Sequence, residues 1–334
     1  MPQPQHSNCG VRLAGTGSGV PSNVLTNADL SEMMDTTHEW IVQRTGICER
    51  RVCNEDENAM TLSRDAIGNA LDAAGMQPND LDLLIVATCT TEMHVPSTAC
   101  RVLNALGIVK AAAFDLNAAC TGFVYALNIA DSLIRSGRHR AVGVVGCDVL
   151  SRMVDYNERS VSILFGDSAG GAVLVRDDNP ERGCIYQLLE ADSSGWDVLY
   201  CPRRQEDVRE WDRDNTIGLG NLRMQGREVY RFAVTKFQSV IEDALQKTNL
   251  TADDVTQFIC HQSNARIIES AIEKLGLAPE KVHINIDRFG NCSAGSVPLC
   301  LDQVMRAGKI KDGDIILLAG FGAGLTWASS VWRV

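Results

Sequence analysis

The sequence predicts an α/β protein built from two related halves, and three observations carry that expectation. Helical segments alternate with apolar strand segments, one helix-then-strand order occurs twice at nearly equal spacing, and 334 residues are about twice a typical single domain. Hydrophobic residues at 45% and charged residues at 22% are ordinary for a globular chain with a packed core. A net charge of −11 argues against a surface that binds nucleic acid or anionic membrane as a whole.

The opening segment, Met1-Pro-Gln-Pro-Gln-His6, is polar and lacks the charged and apolar blocks of a signal peptide, so a cytoplasmic location is expected. The first copy then runs through a helix over Arg64–Gly75, a strand over Asp80–Val86, a short helix over Thr98–Leu106 and a strand ending near Asp115. A small-residue turn, a helix over Val124–Ile134 and a strand over Ala141–Gly146 complete it. The second copy repeats the order: helix Phe237–Gln246, strand Asp254–Cys260, helix Ala265–Leu275, a strand opened by His283 and ending near Asp287, a small-residue turn, a helix to Ala307-Gly308, and strand Ile315–Ala319. Asp80 to Asp115 spans 35 positions and Asp254 to Asp287 spans 33. Near-continuous apolar strands imply mostly parallel sheets covered on both faces.

The uncharged run Ile315–Trp332 is long enough to be weighed as a membrane span, but Gly320, Gly322 and Gly324 suit a buried strand–turn–strand, so no membrane insertion is expected. Twelve cysteines show no CxxC or Cys/His zinc spacing. In a reducing compartment they are structural or catalytic, and no metal is expected.

Chemistry concentrates in three places. In Phe114-Asp-Leu-Asn-Ala-Ala-Cys-Thr-Gly-Phe123 an apolar strand runs into a small-residue turn and a helix, which puts Cys120 near a helix N-terminus. Backbone N–H groups and the helix dipole there stabilise a thiolate and lower its pKa; a buried core cysteine beside a tight turn would read the same. His261 follows the strand Phe258-Ile-Cys260, at the strand end where α/β folds place ligands, although a helix-capping role fits the same position. The turn that matches Cys120 in the second copy is Asp287–Ser296, which brings Asn291 near Cys120 and offers Cys292 as a rival nucleophile. A Cys/His/Asn set can transfer an acyl group through a thiolate, and two neutral donors can hold a second thioester oxygen as it becomes an enolate.

Ala119-Cys-Thr-Gly-Phe123, His261-Gln-Ser-Asn264, Gly290-Asn-Cys-Ser-Ala-Gly-Ser-Val-Pro298 and Gly320-Phe-Gly-Ala-Gly-Leu-Thr-Trp327 together resemble β-ketoacyl-[acyl-carrier-protein] synthase III. Glu39-Trp-Ile-Val-Gln-Arg-Thr-Gly46 and Phe165-Gly-Asp167 resemble the same family, and the likeness runs from about Leu13 to the C-terminus. The resemblance implies a thiolase fold, five-layered αβαβα with two pseudo-symmetric halves, here residues 1–180 with Cys120 and residues 181–334 with His261 and Asn291. It further implies a homodimer, an acyl-CoA primer that acylates Cys120, malonyl-[acyl-carrier-protein] as extender, and no tightly bound cofactor. By the same resemblance, His261 and Asn291 promote decarboxylation, and the backbone N–H groups of Cys120 and Ala323 form the acyl oxyanion hole. Trp40 and Arg159 match positions that sandwich the CoA adenine, with Thr36, Arg44 and Asn264 along the CoA path. Arg227, Arg231, Arg266 and Lys274 match the basic docking face for the carrier protein, Leu150, Phe165 and Leu222 match the acyl pocket, and Val95 matches a residue that lines the acyl pocket of the second copy in the homodimer.

Three positions depart from the family pattern: Ala323 stands where a third glycine is frequent, Ser160 replaces a common glycine beside Arg159, and Val95 lies where enzymes for short primers commonly carry phenylalanine. The expected activity is a decarboxylative Claisen condensation that initiates fatty-acid synthesis, with Val95 pointing to a medium-chain primer. The alternatives are a synthase III-like enzyme of a specialised pathway, a Cys-dependent acyltransferase or thioesterase without condensation, and a non-catalytic partner subunit. Acylation of Cys120 excludes the last, and CO₂ release from the malonyl thioester separates condensation from transfer.

Overall fold

The computed structural model describes residues 9–334; the segment Met1–His6 lies outside the described residues. A first sheet holds β1 (Gly10–Gly19), β2 (Leu83–Ala87), β3 (Ala112–Leu116), β4 (Ala141–Val149) and β5 (Asp167–Asp177), in the order β1-β5-β4-β2-β3. A second holds β6 (Gly183–Ala191), β7 (Gln257–Cys260), β8 (Ile315–Gly322) and β9 (Thr326–Arg333), in the order β7-β8-β9-β6. The uncharged run is therefore the buried hairpin β8–β9, and no helix among the described residues is long and apolar enough to cross a membrane.

Seven helices set the layers and the rim. Helix α1 (His38–Thr45) lies at the rim; α2 (Ala59–Ala74) and α3 (Thr98–Ala105) cover the outer face of the first sheet; and α4 (Gly122–Arg135) enters between the sheets. Helices α5 (Gly226–Thr248) and α6 (Ala265–Leu275) cover the outer face of the second sheet, and α7 (Ser296–Arg306) returns to the middle beside α4. The five layers follow from burial. Phe123, Leu127 and Ile134 of α4 and Val297, Leu301 and Val304 of α7 join strand residues of both sheets in one core.

Local chemistry explains the placement of these elements. Asn58 caps α2, its Oδ1 accepting from Thr61 N at 3.1 Å, and Gly75 ends the helix in the left-handed region at φ 66°. The Gly-Thr-Gly-Ser-Gly alternation of β1 lets α2 lie on bare backbone: a Cβ on Gly17 would stand 2.4 Å from the Ala66 carbonyl oxygen.

Two expectations need correction. The sheets are mixed, not mostly parallel: β2 pairs in parallel with β3 and β4, and β7 with β8, while β4–β5, β1–β5, β8–β9 and β9–β6 are antiparallel. A three-residue turn joins β8 to β9, which only an antiparallel pair permits. The strand expected before Asp287 is reduced to a single bridge, Phe258 to Val282, and Asp287 lies in a short helix, Ile286–Phe289. The Gln262 side chain replaces the ladder, donating to the His283 carbonyl at 3.2 Å and accepting from Asn285 N at 3.1 Å.

Candidate active site

Cys120 sits on a 3₁₀ turn, Ala119–Thr121, between β3 and α4. Ala119 holds φ at 46°, its N–H donating to Asn117 Oδ1 at 3.2 Å, and Thr121 Oγ1 donates to the Ala118 carbonyl at 2.6 Å. The end of β8 closes on this turn: a Cβ on Gly322 would lie 2.9 Å from Cys120 N, so glycine is what allows the approach.

Two cavities meet at Cys120. The first, about 640 Å³ with its mouth, is lined by Cys120, His261, Ser263, Asn264, Asn291 and Phe321 among others. The second, about 960 Å³ with its mouth, is lined by Cys120, Leu150, Met153, Phe165, Leu222 and Ala323, together with polar Asn117, Tyr200 and Arg203. Three of the four acyl-pocket candidates thus meet beside Cys120. Val95 does not; it is 81% exposed and lines neither cavity of its own chain.

The Cys120 thiol is buried, and burial pushes its pKa up to about 12, which Ser293 and the residue's own N–H only partly offset. The expectation of a thiol lowered by the helix end is corrected here, because desolvation outweighs it. His261 is 1% exposed, and burial alone pulls its pKa down to about 3, so the imidazole is neutral across the physiological range. Its ring packs edge-on against Phe321 at 5.3 Å, its backbone N–H extends the β7–β8 pairing to Ala319 O at 2.9 Å, and Nδ1 lies 2.7 Å from Ser296 Oγ.

Asn291 is held from outside its own turn. It bridges to Phe165, donating to Leu164 O at 2.8 Å and accepting from Gly166 N at 3.1 Å. Its Oδ1 accepts from Ser293 N at 2.9 Å, which leaves the Nδ2 protons as the donors of the amide. Cys292 lines neither cavity; it is buried against Phe289 and Leu299, and its Sγ donates to Phe289 O at 3.2 Å. Ser263 and Ser296 lie inside the sequence motifs, but the motifs alone give neither a role. Ser263 Oγ is buried without a partner among the described residues, and a chemically ordinary Ser gives no signal of that from sequence.

At the rim, Arg159 and Arg44 place their guanidinium carbons 4.6 and 4.8 Å from the Trp40 ring centroid. Both guanidinium groups thus lie within cation–π range of one ring. Thr36 Oγ1 is buried without a partner among the described residues. Asn264 caps α6 through Arg266 N at 3.0 Å and donates to Arg44 O at 3.1 Å, tying the rim to the first cavity. Arg227, Arg231, Arg266 and Lys274 are exposed on α5 and α6, but Glu228, Glu269 and Glu273 share those helices, and Arg231 pairs with Glu228. No three His, Cys, Asp or Glu side chains converge as a metal site among the described residues.

Comparison with known proteins shows what the chain as a whole is similar to. The family model described as 3-Oxoacyl-[acyl-carrier-protein (ACP)] synthase III matches residues 114–193, and its C-terminal counterpart matches residues 245–334. A curated beta-ketoacyl-[acyl-carrier-protein] synthase III of Caldanaerobacter subterraneus subsp. tengcongensis is 44% identical over 319 residues, 96% of each chain. The crystal structure of 3-oxoacyl-[acyl-carrier-protein] synthase III from Aquifex aeolicus VF5 superposes with a TM-score of 0.90 at 41% identity, covering 97% of this chain and 100% of that one. The priming beta-ketosynthase of the R1128 polyketide pathway superposes with a TM-score of 0.90 at 34% identity, covering 100% of this chain and 98% of that one.

Proposed function

The chain belongs to the 3-oxoacyl-[acyl-carrier-protein] synthase III family, acyltransferase-type condensing enzymes of thiolase fold, and from that premise we propose that it condenses an acyl-CoA primer with malonyl-[acyl-carrier-protein] through an acyl-Cys120 intermediate. The supporting observation is the position of Cys120 where two cavities meet, one presenting His261 and Asn291 and the other the apolar side chains of Leu150, Phe165 and Leu222.

In the first step Cys120 Sγ attacks the thioester carbon, the carbonyl oxygen becomes an oxyanion held by the backbone N–H groups of Cys120 and Ala323, and the CoA sulfur leaves. The Cys120 thiol gives up its proton as Sγ attacks, and the departing CoA thiolate takes one, so the transfer consumes no net proton. In the second step the malonyl C–CO₂ bond breaks, and the electron pair forms an enolate whose oxygen receives hydrogen bonds from neutral His261 and Asn291 Nδ2. The enolate carbon attacks acyl-Cys120, a C–C bond forms, and the Cys120 thiolate leaves and is reprotonated. No metal enters this chemistry.

Residues 1–180 then carry the nucleophile and residues 181–334 the decarboxylating pair, and the reaction stands at the start of cytoplasmic fatty-acid synthesis. Thr36, Trp40, Arg44, Arg159 and Asn264 receive CoA and pantetheine, and Arg227, Arg231, Arg266 and Lys274 receive the acidic carrier protein. The homodimer is supported by β3, which has one neighbour in its sheet and exposes 38% of Phe114. Exposed Val95 meets the second copy's acyl cavity and favours a medium-chain primer. The likeness to a priming ketosynthase favours a second reading, a specialised pathway with a different primer or acceptor. Separate assays decide: acylation of Cys120 without CO₂ release from malonyl-[acyl-carrier-protein] contradicts condensation, and both together support it, while a panel of primers and acceptors divides the two pathways.

A further inference from the structure

The Ser296 hydroxyl carries one proton and has two acceptors in reach, His261 Nδ1 at 2.7 Å and the Ser293 carbonyl at 2.9 Å. The Ser293 carbonyl already accepts from the Ser296 backbone N–H, whereas Nδ1 meets no other polar group among the described residues. Ser296 Oγ in turn receives the Gln262 N–H at 3.4 Å. Donation to Nδ1 therefore gives each of these groups a partner. The reverse arrangement spends both hydrogens of Ser296 on one carbonyl and leaves Nε2 as a lone pair. The fold does not require a hydroxyl at this point: Gly122 opens α4 after the Ala119 turn as Ser296 opens α7 after the Ser293 turn, and it has no side chain.

We propose that Ser296 is a positioning residue that fixes neutral His261 as its Nε2–H tautomer, so that the ring offers a proton, not a lone pair, to the malonyl thioester oxygen. The proposal rests on the enolate-donor reading of His261 and names what sets the donor.

The experiment is nitrogen-15 imidazole spectroscopy of the whole protein between pH 6 and 8, with the His261 signals assigned by His261→Gln, beside rates of Cys120 acylation and of CO₂ release. The parent is expected to show a protonated Nε2 and a bare Nδ1. Ser296→Ala is expected to populate the Nδ1–H form and to slow CO₂ release about tenfold, the effect of one well-placed hydrogen bond, with acylation retained. Ser296→Thr, which keeps the hydroxyl, is expected to restore both signature and rate. A parent ring protonated at Nδ1 overturns the proposal even if no Ser296 variant folds, as does a Ser296→Ala enzyme with the parental tautomer and rate. If His261→Ala decarboxylates normally, the donor reading itself falls; if it is slow while Ser296→Ala is not, only the role of Ser296 falls.

Discussion

Two turns of nearly identical backbone lie together in the molecule and meet different surroundings. Ala119–Thr121 and Ser293–Gly295 are each one 3₁₀ turn, each begins with a non-glycine residue at positive φ, 46° and 47°, and each leads into a buried helix. Such backbone costs on the order of 1–3 kcal/mol per residue and persists where the surroundings enforce it. In the first turn the second residue is Cys120, which is buried but lines both cavities; in the second it is Ala294, which lines neither and whose carbonyl oxygen would stand 2.1 Å from any Cβ on Gly146. The second half places its polar groups outside the turn residue itself, in Asn291, His261 and Ser296. Under the proposed function, the duplicated framework gives one turn the nucleophile and sets the donors around the other.

The largest effect is expected from moving the nucleophile. Cys120→Ala should abolish acylation, and adding Ala294→Cys should not restore it, because position 294 lines neither cavity; intact mass after acyl-CoA treatment reads both. Recovery of an adduct in the double variant would make the two turns interchangeable.

Next in size, His261→Ala and Asn291→Ala should each slow CO₂ release by ~10²-fold or more while acylation of Cys120 stays within a few-fold of the parent. The His261 ring is neutral down to about pH 3 in the folded chain, whereas unfolded it takes a proton below about 6.5. The unfolded state thus binds more protons between those values, and this contribution to stability is present above pH 6.5 and lost as pH falls toward 3. His261→Gln should flatten that part of the denaturation profile, and the parent's decarboxylation should show no acid limb near 6.5 from this residue.

Arg266→Glu or Arg231→Glu should weaken use of malonyl-[acyl-carrier-protein] several-fold, with the parent more salt-sensitive than the variant, while acylation by CoA thioesters holds. Equal loss on both substrates would locate docking elsewhere. Val95→Phe should shift primer preference toward acetyl, since each methylene no longer accommodated forfeits ~0.8 kcal/mol of apolar burial. Competition between acetyl-CoA and octanoyl-CoA measures the shift. The smallest effect is expected at Cys292: replacement by Ala should cost about 1 kcal/mol of stability by denaturant titration and leave acylation unchanged, in contrast to the same change at Cys120.

The contrast between the turns was half legible in the sequence. The small-residue run Asn117–Gly122 after an apolar strand marks Cys120, and the end of β7 marks His261, because local periodicity and composition encode strand ends and helix starts. Long-range contacts were not legible. The strand lost before Asp287 depends on the Gln262 side chain, and the anchoring of Asn291 depends on Leu164 and Gly166. The segment between β6 and α5, which supplies Leu199, Tyr200 and Leu222 to the cavities, has no periodicity to read. It is held by a buried pair, Arg223 and Asp212 at 2.6 Å, and by edge-on contacts of Tyr200 with Trp196 and Trp211 at 6.2 and 5.8 Å. The direction of the Cys120 pKa shift escaped for the same reason: a helix end is local, and burial is not.

The most direct test of the division of labour is peptide mapping of the parent after a single exposure to acyl-CoA, with malonyl-[acyl-carrier-protein] then added. The account predicts one acyl group, on Cys120, discharged with release of one CO₂. An adduct on Cys292, or on Cys89 or Cys201, which also line the second cavity, or an acyl-Cys120 that malonyl-[acyl-carrier-protein] cannot discharge, would contradict it.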